Sequence, residues 1–445
     1  MMNTTVQASQ PLPLQVGSAD AIYRKISWRV LPLLLIAYMV AFLDRVNIGY
    51  AQLQMKETLP WGDAVYGIGA GIFFLGYLLF EVPSNLLLEK IGARRTLLRI
   101  MLCWGIAAAA MMFVDTPPQF YVARLLLGVF EAGFFPGVIL YFTYWYPSAR
   151  RGQVIAIFMT ATTIVGCVAG PLSGALLKYM NGVGGMHGWQ WMFVVQGLPA
   201  SVLGVLIYLL LQDKPGDANW LMQSEKNLLR HHLEHDENGI EGGAEPGVLH
   251  AFRDPKIYMF ALVYFLSLGA TYALAFWVPT LIQSWGVKDV MLIGIYAAIP
   301  NAVAAVGMVL VARSSDKHHE RHWHFAISAA VAAIGMFATT LLQGNLMGSI
   351  IALSIASIGI ASLTPLFFTL ISEYLSVTAA AGGIALISSL GNLGPMVSPA
   401  ITGLIRQSTG SATYAMYLVV VMYVVAGALL LITVRAAKVA RQGAS

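Results

Sequence analysis

The chain has 445 residues, of which 58% are hydrophobic and only 11% charged, with a formal net charge of +5. Soluble domains carry about 25% charged residues, so a soluble enzyme or binding module is excluded. Apolar runs recur from end to end, each long enough to cross a hydrocarbon core of ~30 Å. The alternating pattern of β-barrel strands is absent, which leaves an all-α membrane protein with many crossings.

In chain order, residues 1–27 are mostly polar, with no cleavable signal before the first apolar run, and read as a cytoplasmic tail. Six spans follow at 28–50, 64–88, 95–114, 118–142, 152–179 and 189–211, forming an N-terminal bundle over 28–211. The stretch 212–256 contains SEKNLLRHHLEHDENGIEGGAEPG and reads as a short surface helix with a Gly-rich linker, on the cytoplasmic side. Spans at 257–283, 290–312, 323–342, 346–371, 380–404 and 412–434 form a C-terminal bundle over 257–434, before a second cytoplasmic tail at 435–445. The sum is twelve transmembrane helices in two six-helix halves. Cys103 and Cys167 lie inside apolar runs and read as small core residues rather than a disulfide or metal site.

The basic residues fix an orientation. With the N-terminus inside, the outer loops hold only Lys56, Lys178, Lys288 and Arg406, while Arg45 and Arg124 lie within spans. All other Lys and Arg fall on the cytoplasmic side, so both termini are expected there. This distribution also accounts for the positive net charge without nucleic acid.

The halves read as a repeat. LEKIGARR follows span two and SDKHHER follows span eight, placing Glu89-Lys90 and Asp316-Lys317 in register. An acid followed by a base at a cytoplasmic helix end can pair across to neighbouring helix ends and latch one conformation, and Arg94 joins this set. Repeats of this kind place a substrate site at their interface near the midplane. Pro/Gly clusters at Gly166, Gly170-Pro171 and Gly174, and at Gly391, Gly394-Pro395 and Pro399, read as bending points in matching spans.

A charge at the bilayer centre costs at least ~2.5–3.5 kcal/mol, so the ionisable residues inside spans are candidates for function. Asp44 and Arg45 sit side by side in span one, Glu81 in span two, and Arg124 and Glu131 in span four. All five belong to the first half. Arg124 and Glu131 fall within ~20° of one helical face, ~10.5 Å apart along the axis. Arg45 stays charged and its fork matches a carboxylate. Asp44 beside it is expected to neutralise it or release it to an incoming anion. A partly desolvated Glu131 is suited to carry a proton. The alternative is an ion-pair network that only fixes packing. Glu81 is expected to pair near the cytoplasmic end. The second half offers neutral groups: Tyr272 in span seven, Phe368 in span ten, and Ser388 and Asn392 in span eleven. Asn392 is a buried amide among glycines that needs partners. The histidines of HHERHWH read as a solvated loop. No nucleophile–base set, metal-ligand spacing or nucleotide loop is visible, which argues against a membrane enzyme.

Taken together, FLDRVNIGYA, FEVPSNLLLEKIGARR, RLLLGVFEAGFFPGVILYFTYWYP and GWQWMFVVQGLPA resemble the anion:cation symporter branch of the major facilitator superfamily, and in particular bacterial permeases for tartrate, phthalate and 4-hydroxyphenylacetate. The resemblance implies the major facilitator fold and proton-driven uptake of an organic anion by alternating access. It assigns Asp44 and Arg45 to coupling and carboxylate binding, Arg124 and Glu131 to conformational coupling and proton carriage, and Asn392 to the span-eleven amide. It matches Glu89, Lys90, Gly92 and Arg94 to the loop motif, whose opening Gly is Asn85 here. Relatives often carry Trp where this chain has Phe368 and Gln near Thr163, so a more apolar pocket, for an aromatic or less hydroxylated acid, is implied. The expected partners are the small organic anion and the lipid bilayer, with no nucleic acid, no cofactor beyond the proton gradient, and a monomer as the working unit. The expected location is the bacterial cytoplasmic membrane. The rival reading is a proton-coupled drug antiporter, because GCVAGPLSG and the Arg124–Gly128 spacing also resemble motifs of that class. A membrane receptor fits less well, because the linker is too short for a domain.

Overall fold

The computed structural model describes residues 16–238, 254–374 and 377–442, and these are helical with no strand. The first half contains α1 (Val16–Val46), α2 (Ile48–Thr58), α3 (Asp63–Ile91), α4 (Ala93–Ala110), α5 (Pro117–Glu131), α6 (Phe134–Thr143), α7 (Ser148–Tyr179) and α8 (Gly188–Leu210). After α9 (Gln223–Asn238) the second half contains α10 (Pro255–Ser284), α11 (Val290–His318), α12 (His322–Leu341), α13 (Leu346–Tyr374), α14 (Val377–Gly391), α15 (Leu393–Thr409) and α16 (Ala412–Gln442). Eleven helical stretches among the described residues are long and apolar enough to cross a membrane. The α14–α15 pair supplies the remaining crossing of a two-times-six arrangement.

One crossing that the sequence reads as continuous is broken: span four, after Glu131, where Gly133 takes a left-handed φ of +85°. Spans one and eleven are only locally interrupted, at Asn47 and Asn392, whose backbones stay in the right-handed helical region. The interruptions in spans four and eleven have a covalent cause. Proline lacks the N–H that would bond the carbonyl four residues back; Pro136 frees Ala132 and Pro395 frees Gly391. The ends also differ from expectation. α1 is already helical at Val16, the first described residue, and Ile22, Tyr23 and Ile26 bury one face of the supposed tail, while the last helix reaches Gln442.

The helix of the linker is docked on the first half. Trp220 stacks on Trp145 with ring centroids 5.9 Å apart and lies under Arg29, while Lys25 pairs with Glu225 at 2.9 Å. Leu228 and Leu229 of α9 are buried. We call the end that carries α9 and the start of α1 the terminal end, and the opposite end distal.

The halves meet where α3 crosses α15 and α7 crosses α11. Small residues make these crossings close. A Cβ on Gly170 would strike the carbonyl of Gly294, and one on Gly294 the carbonyl of Gly170. The bonds joining the halves cluster at the distal end. Arg406 Nε reaches Asp63 Oδ2 at 3.1 Å, Gln52 Nε2 donates to the Phe276 carbonyl at 2.8 Å, the Ala64 amide donates to Gln407 at 2.9 Å, and Lys178 pairs with Asp289. Toward the terminal end α3 instead exposes Leu79, Val82, Leu86, Glu89 and Lys90. Among the described residues the hydrogen bonds and ion pairs between the halves lie toward the distal end, and none lies toward the terminal end.

Candidate functional site

The last turn of α1 delivers Asp44 and Arg45 in opposite directions. Adjacent helical residues diverge by ~100° and do not face each other. The expectation that Asp44 neutralises Arg45 is therefore corrected. Asp44 is buried and accepts from Trp104 Nε1 of α4 at 2.9 Å and from Asn47 Nδ2 at 3.3 Å.

Arg45 pairs instead with Glu131, the last residue of α5. The break after Glu131 ends the helix where its carboxylate meets α1. Arg45 also lies over the rings of Tyr77 (5.2 Å) and Phe73 (5.6 Å) of α3. The pair is not saturated: Arg45 Nε and Glu131 Oε2 are buried without a hydrogen-bond partner.

Arg124 shares a face of α5 with Glu131, as its spacing implies, but does not bond to it. Its Nε donates to the Gly69 carbonyl at 3.1 Å, its guanidinium sits 5.1 Å from the Phe73 ring centre, and both terminal nitrogens lack partners. One phenyl ring thus borders two guanidiniums, the fully buried Arg124 and the partly buried Arg45. Phe73 and Trp104 escaped the sequence reading because an aromatic in a membrane span carries no distinguishing signal of its own. Glu81 is half-buried, within electrostatic range of Arg45, and makes no ion pair among the described residues.

The second half faces this cluster with tyrosines. Tyr272 of α10 packs edge-on against Phe74 with centroids 4.9 Å apart, and lies within electrostatic range of Arg45 together with Tyr38 and Tyr77. Tyr264, two turns before Tyr272, is within range of both Tyr272 and Tyr38. Phe368 meets Tyr264 edge-on at 5.1 Å, and the Tyr264 ring fills the space beside Gly391. Ser388 and Asn392 flank that glycine, half-buried, and the Asn392 amide N–H donates to the Ser388 carbonyl at 2.9 Å. Tyr38 and Tyr264 were not singled out from sequence, although Tyr38 lies two turns before Arg45 and Tyr264 two turns before Tyr272, which puts each on its partner's face.

The loop residues do not form the expected pairs across helix ends. Glu89, Lys90 and Lys317 make no ion pair among the described residues, and Asp316 closes on Arg321 of its own loop at 2.6 Å. Arg94 reaches only within the first half, from its Nε to the Tyr208 carbonyl at 3.0 Å, while its backbone N–H is held by Asp213 at 2.9 Å.

Two six-helix halves enclosing a charged cluster define a membrane transporter architecture. The family model of the Major Facilitator Superfamily matches residues 34–385, and the chain belongs to that family. It is 43% identical over 417 residues to a protein of Agrobacterium vitis provisionally named a tartrate transporter, covering 94% of this chain and 95% of that one. It is 41% identical over 401 residues to NicT of Pseudomonas putida, provisionally a metabolite transport protein, covering 89% and 91%. It is 39% identical over 396 residues to a quinolone resistance transporter of Acinetobacter baumannii, covering 89% and 91%. The fold superposes on an inward-facing bacterial homologue of the lysosomal transporter Spinster with a TM-score of 0.73 at 20% identity, covering 93% and 97%. The expected likeness to tartrate permeases is thus matched by relatives along almost the whole chain.

Proposed function

We propose that this transporter is a proton-coupled symporter importing a small organic carboxylate by alternating access. The observation that carries this reading is the pair between the fully buried Glu131 and the partly buried Arg45, set between the halves with unfilled bonding capacity on both partners. A substrate carboxylate suits the Arg45 fork. When it takes the fork, Glu131 loses its cation and gains affinity for a proton, so the two ligands favour each other by linkage. Asp44 and Arg124 complete the coupling set. Tyr272, Phe368, Ser388 and Asn392 contribute neutral contacts from the second half. The kinship with a tartrate transporter supports a carboxylate cargo. The chemistry needs no cofactor beyond the proton gradient, no nucleic acid and no second subunit.

The Lys/Arg asymmetry supports both termini in the cytoplasm of a bacterial inner membrane, so the distal end is external and the conformation described here is open inward. Glu89, Lys90, Arg94, Asp316 and Lys317 then act as a latch only when the cytoplasmic ends close.

Uptake of labelled tartrate, phthalate and 4-hydroxyphenylacetate into proteoliposomes, with the outside acidified, tests the proposal. Accumulation of one that collapses with a protonophore supports it, and accumulation unaffected by the proton gradient removes the coupling. A second reading, drug–proton antiport, is favoured by the Acinetobacter relative. Quinolones themselves carry a carboxylate, so Arg45 does not discriminate. Proton release from loaded vesicles on adding a quinolone, with no acid uptake, would select that reading.

A further inference from the structure

Three of the four bases placed outside by sequence, Lys56, Lys178 and Arg406, form ion pairs at the distal end. Lys178 and Asp289 are matched one to one. The other group is not. Asp63, at the start of α3, is shared by Lys56 of α2 and Arg406 of α15. Two cations meet one carboxylate. Glu57, the nearest other acid in sequence, is exposed and ion-paired with neither among the described residues.

The indole of Trp277 lies within 5.2 Å of Lys56 Nζ and 4.7 Å of the Arg406 guanidinium carbon. Around these groups the unfilled polar atoms are mostly donors. Arg406 Nη1, Trp277 Nε1 and the Tyr66 hydroxyl are buried with no hydrogen-bond partner, beside Gln52 Oε1. Trp277, Tyr66 and Gln52 are 1%, 2% and 2% exposed. They line a cavity of about 10 Å³ between α2, α3 and α10. A surplus cation with several vacant donors is the complement of an anion.

We propose that Arg406 and Trp277 form an entry site for the substrate carboxylate, with Asp63 as a tethered carboxylate that occupies it while the distal end is closed and Lys56 as the cation that keeps Asp63 neutralised on the first half when the halves part. The inference rests on the reading that the cargo is a carboxylate. When the halves part distally, Arg406 moves away with α15 and Asp63 can hold only one cation. The freed guanidinium and its vacant donors then face the incoming anion, which is captured before it descends to Arg45. When the halves close again, Asp63 displaces the anion and drives it inward.

The test separates this site from a simple latch, because the two move the Michaelis constant in opposite directions. Tartrate counterflow needs no proton gradient, and its KM is measured for tartrate added at the distal face. Loss of a latch favours the distally open state and lowers KM or leaves it unchanged. Loss of an entry site raises it. Lys56→Gln and Arg406→Gln are expected to raise KM by roughly three- to tenfold, the range of a lost steering charge. Asp63→Asn is expected to lower it, and Lys178→Gln not to raise it. A KM unchanged or lowered in both Lys56→Gln and Arg406→Gln overturns the inference.

A binding measurement keeps the inference testable if tartrate is not carried at all. In Gly294→Trp, which cannot close distally, tartrate is titrated against tryptophan emission. A saturable change lost in Trp277→Phe and weakened in Arg406→Gln is expected. Its presence without transport would sink the proposed cargo and keep the site, while its absence overturns the site.

Discussion

Arg45→Lys is the sharpest probe of the central site. Arg45 gives one terminal nitrogen to Glu131, lies over Tyr77 and Phe73, and retains an unpartnered Nε. A carboxylate taking this guanidinium can bond to two nitrogens of one rigid plane, whereas an ammonium offers a point charge. The substitution therefore keeps the charge and removes one charge-assisted hydrogen bond, about 1.5–3 kcal/mol. At 1.4 kcal/mol per tenfold, the substrate Kd should weaken roughly ten- to a hundredfold. The lost contact with the two rings costs the fold about 0.5–1 kcal/mol more, which a small drop in thermal midpoint would report. Equilibrium binding of the labelled acid to purified protein gives the Kd directly. A Kd close to that of the unaltered chain, with the variant still folded, would refute the assignment of the carboxylate to Arg45.

Glu131→Gln should abolish uptake driven by a pH gradient while sparing counterflow exchange; equal loss of both would count against a proton role. Gly294→Val places methyl groups against the Gly170 carbonyl, so the distal end should fail to close, transport should be lost, and spin-label distances across that end should lengthen; normal transport would show that the crossing tolerates side chains. Trp104→Phe leaves Asp44 Oδ2 without its donor, at a cost of about 1–3 kcal/mol, read as a lower unfolding midpoint with no change expected if the bond is dispensable. At Glu225 burial pushes the carboxyl up, but the Met222 amide and Lys25 outweigh it and hold the group below its usual range. A lowered folded value means that the docking of α9 is fully supported above the ordinary carboxylate range of about 4.3 and weakens only as pH falls through the lowered value. Protection of the α9 amides, corrected for the intrinsic pH dependence of exchange, should thus be flat from neutral pH to about 5; a loss of protection already near pH 6 would refute the assignment to Glu225.

The fold was legible because the bilayer imposes one rule everywhere: about twenty apolar residues per crossing, with the basic residues sorted between its faces. What the pattern could not carry was the direction of side chains at helix breaks. Asp44 and Arg45 look like a pair in the sequence, and only the divergence of neighbouring side chains together with the end of α5 at Glu131 hands Arg45 to a different acid. The breaks were half visible. Pro136 and Pro395 were there to be read, but prolines at 83, 171, 199, 279, 300 and 365 sit inside helices that continue, because membrane helices tolerate them. Pro136 marks a true break because Gly133, next to the freed Ala132 carbonyl, takes a left-handed turn, whereas Asn392 beside the freed Gly391 carbonyl keeps a helical backbone. The convergence of the distal charges went unseen for another reason. Lys56 and Arg406 were counted as loop charges that set orientation, and nothing local says that both converge on Asp63 across the halves.

The placement of charge also bears on mechanism. A buried ion pair is poor evidence for stability, since apolar residues of similar volume often do as well or better. The Arg45–Glu131 pair is a weaker structural device still, because Arg45 Nε and Glu131 Oε2 remain unfilled. An unfilled donor beside an unfilled acceptor, at the seam between two rigid halves, is costly in a static protein and useful in one that trades partners. Among the described residues the second half adds no charge to this seam, only the hydroxyl and aromatic surface of Tyr272, Tyr264 and Phe368. It can therefore move against the first half without breaking a central ion pair. At the distal end the opposite holds, for Arg406–Asp63 and Lys178–Asp289 both cross the seam and, on the proposed mechanism, open each cycle. On the proposed mechanism the charges that bind cargo stay together on one half, and the charges that gate it are divided between the two.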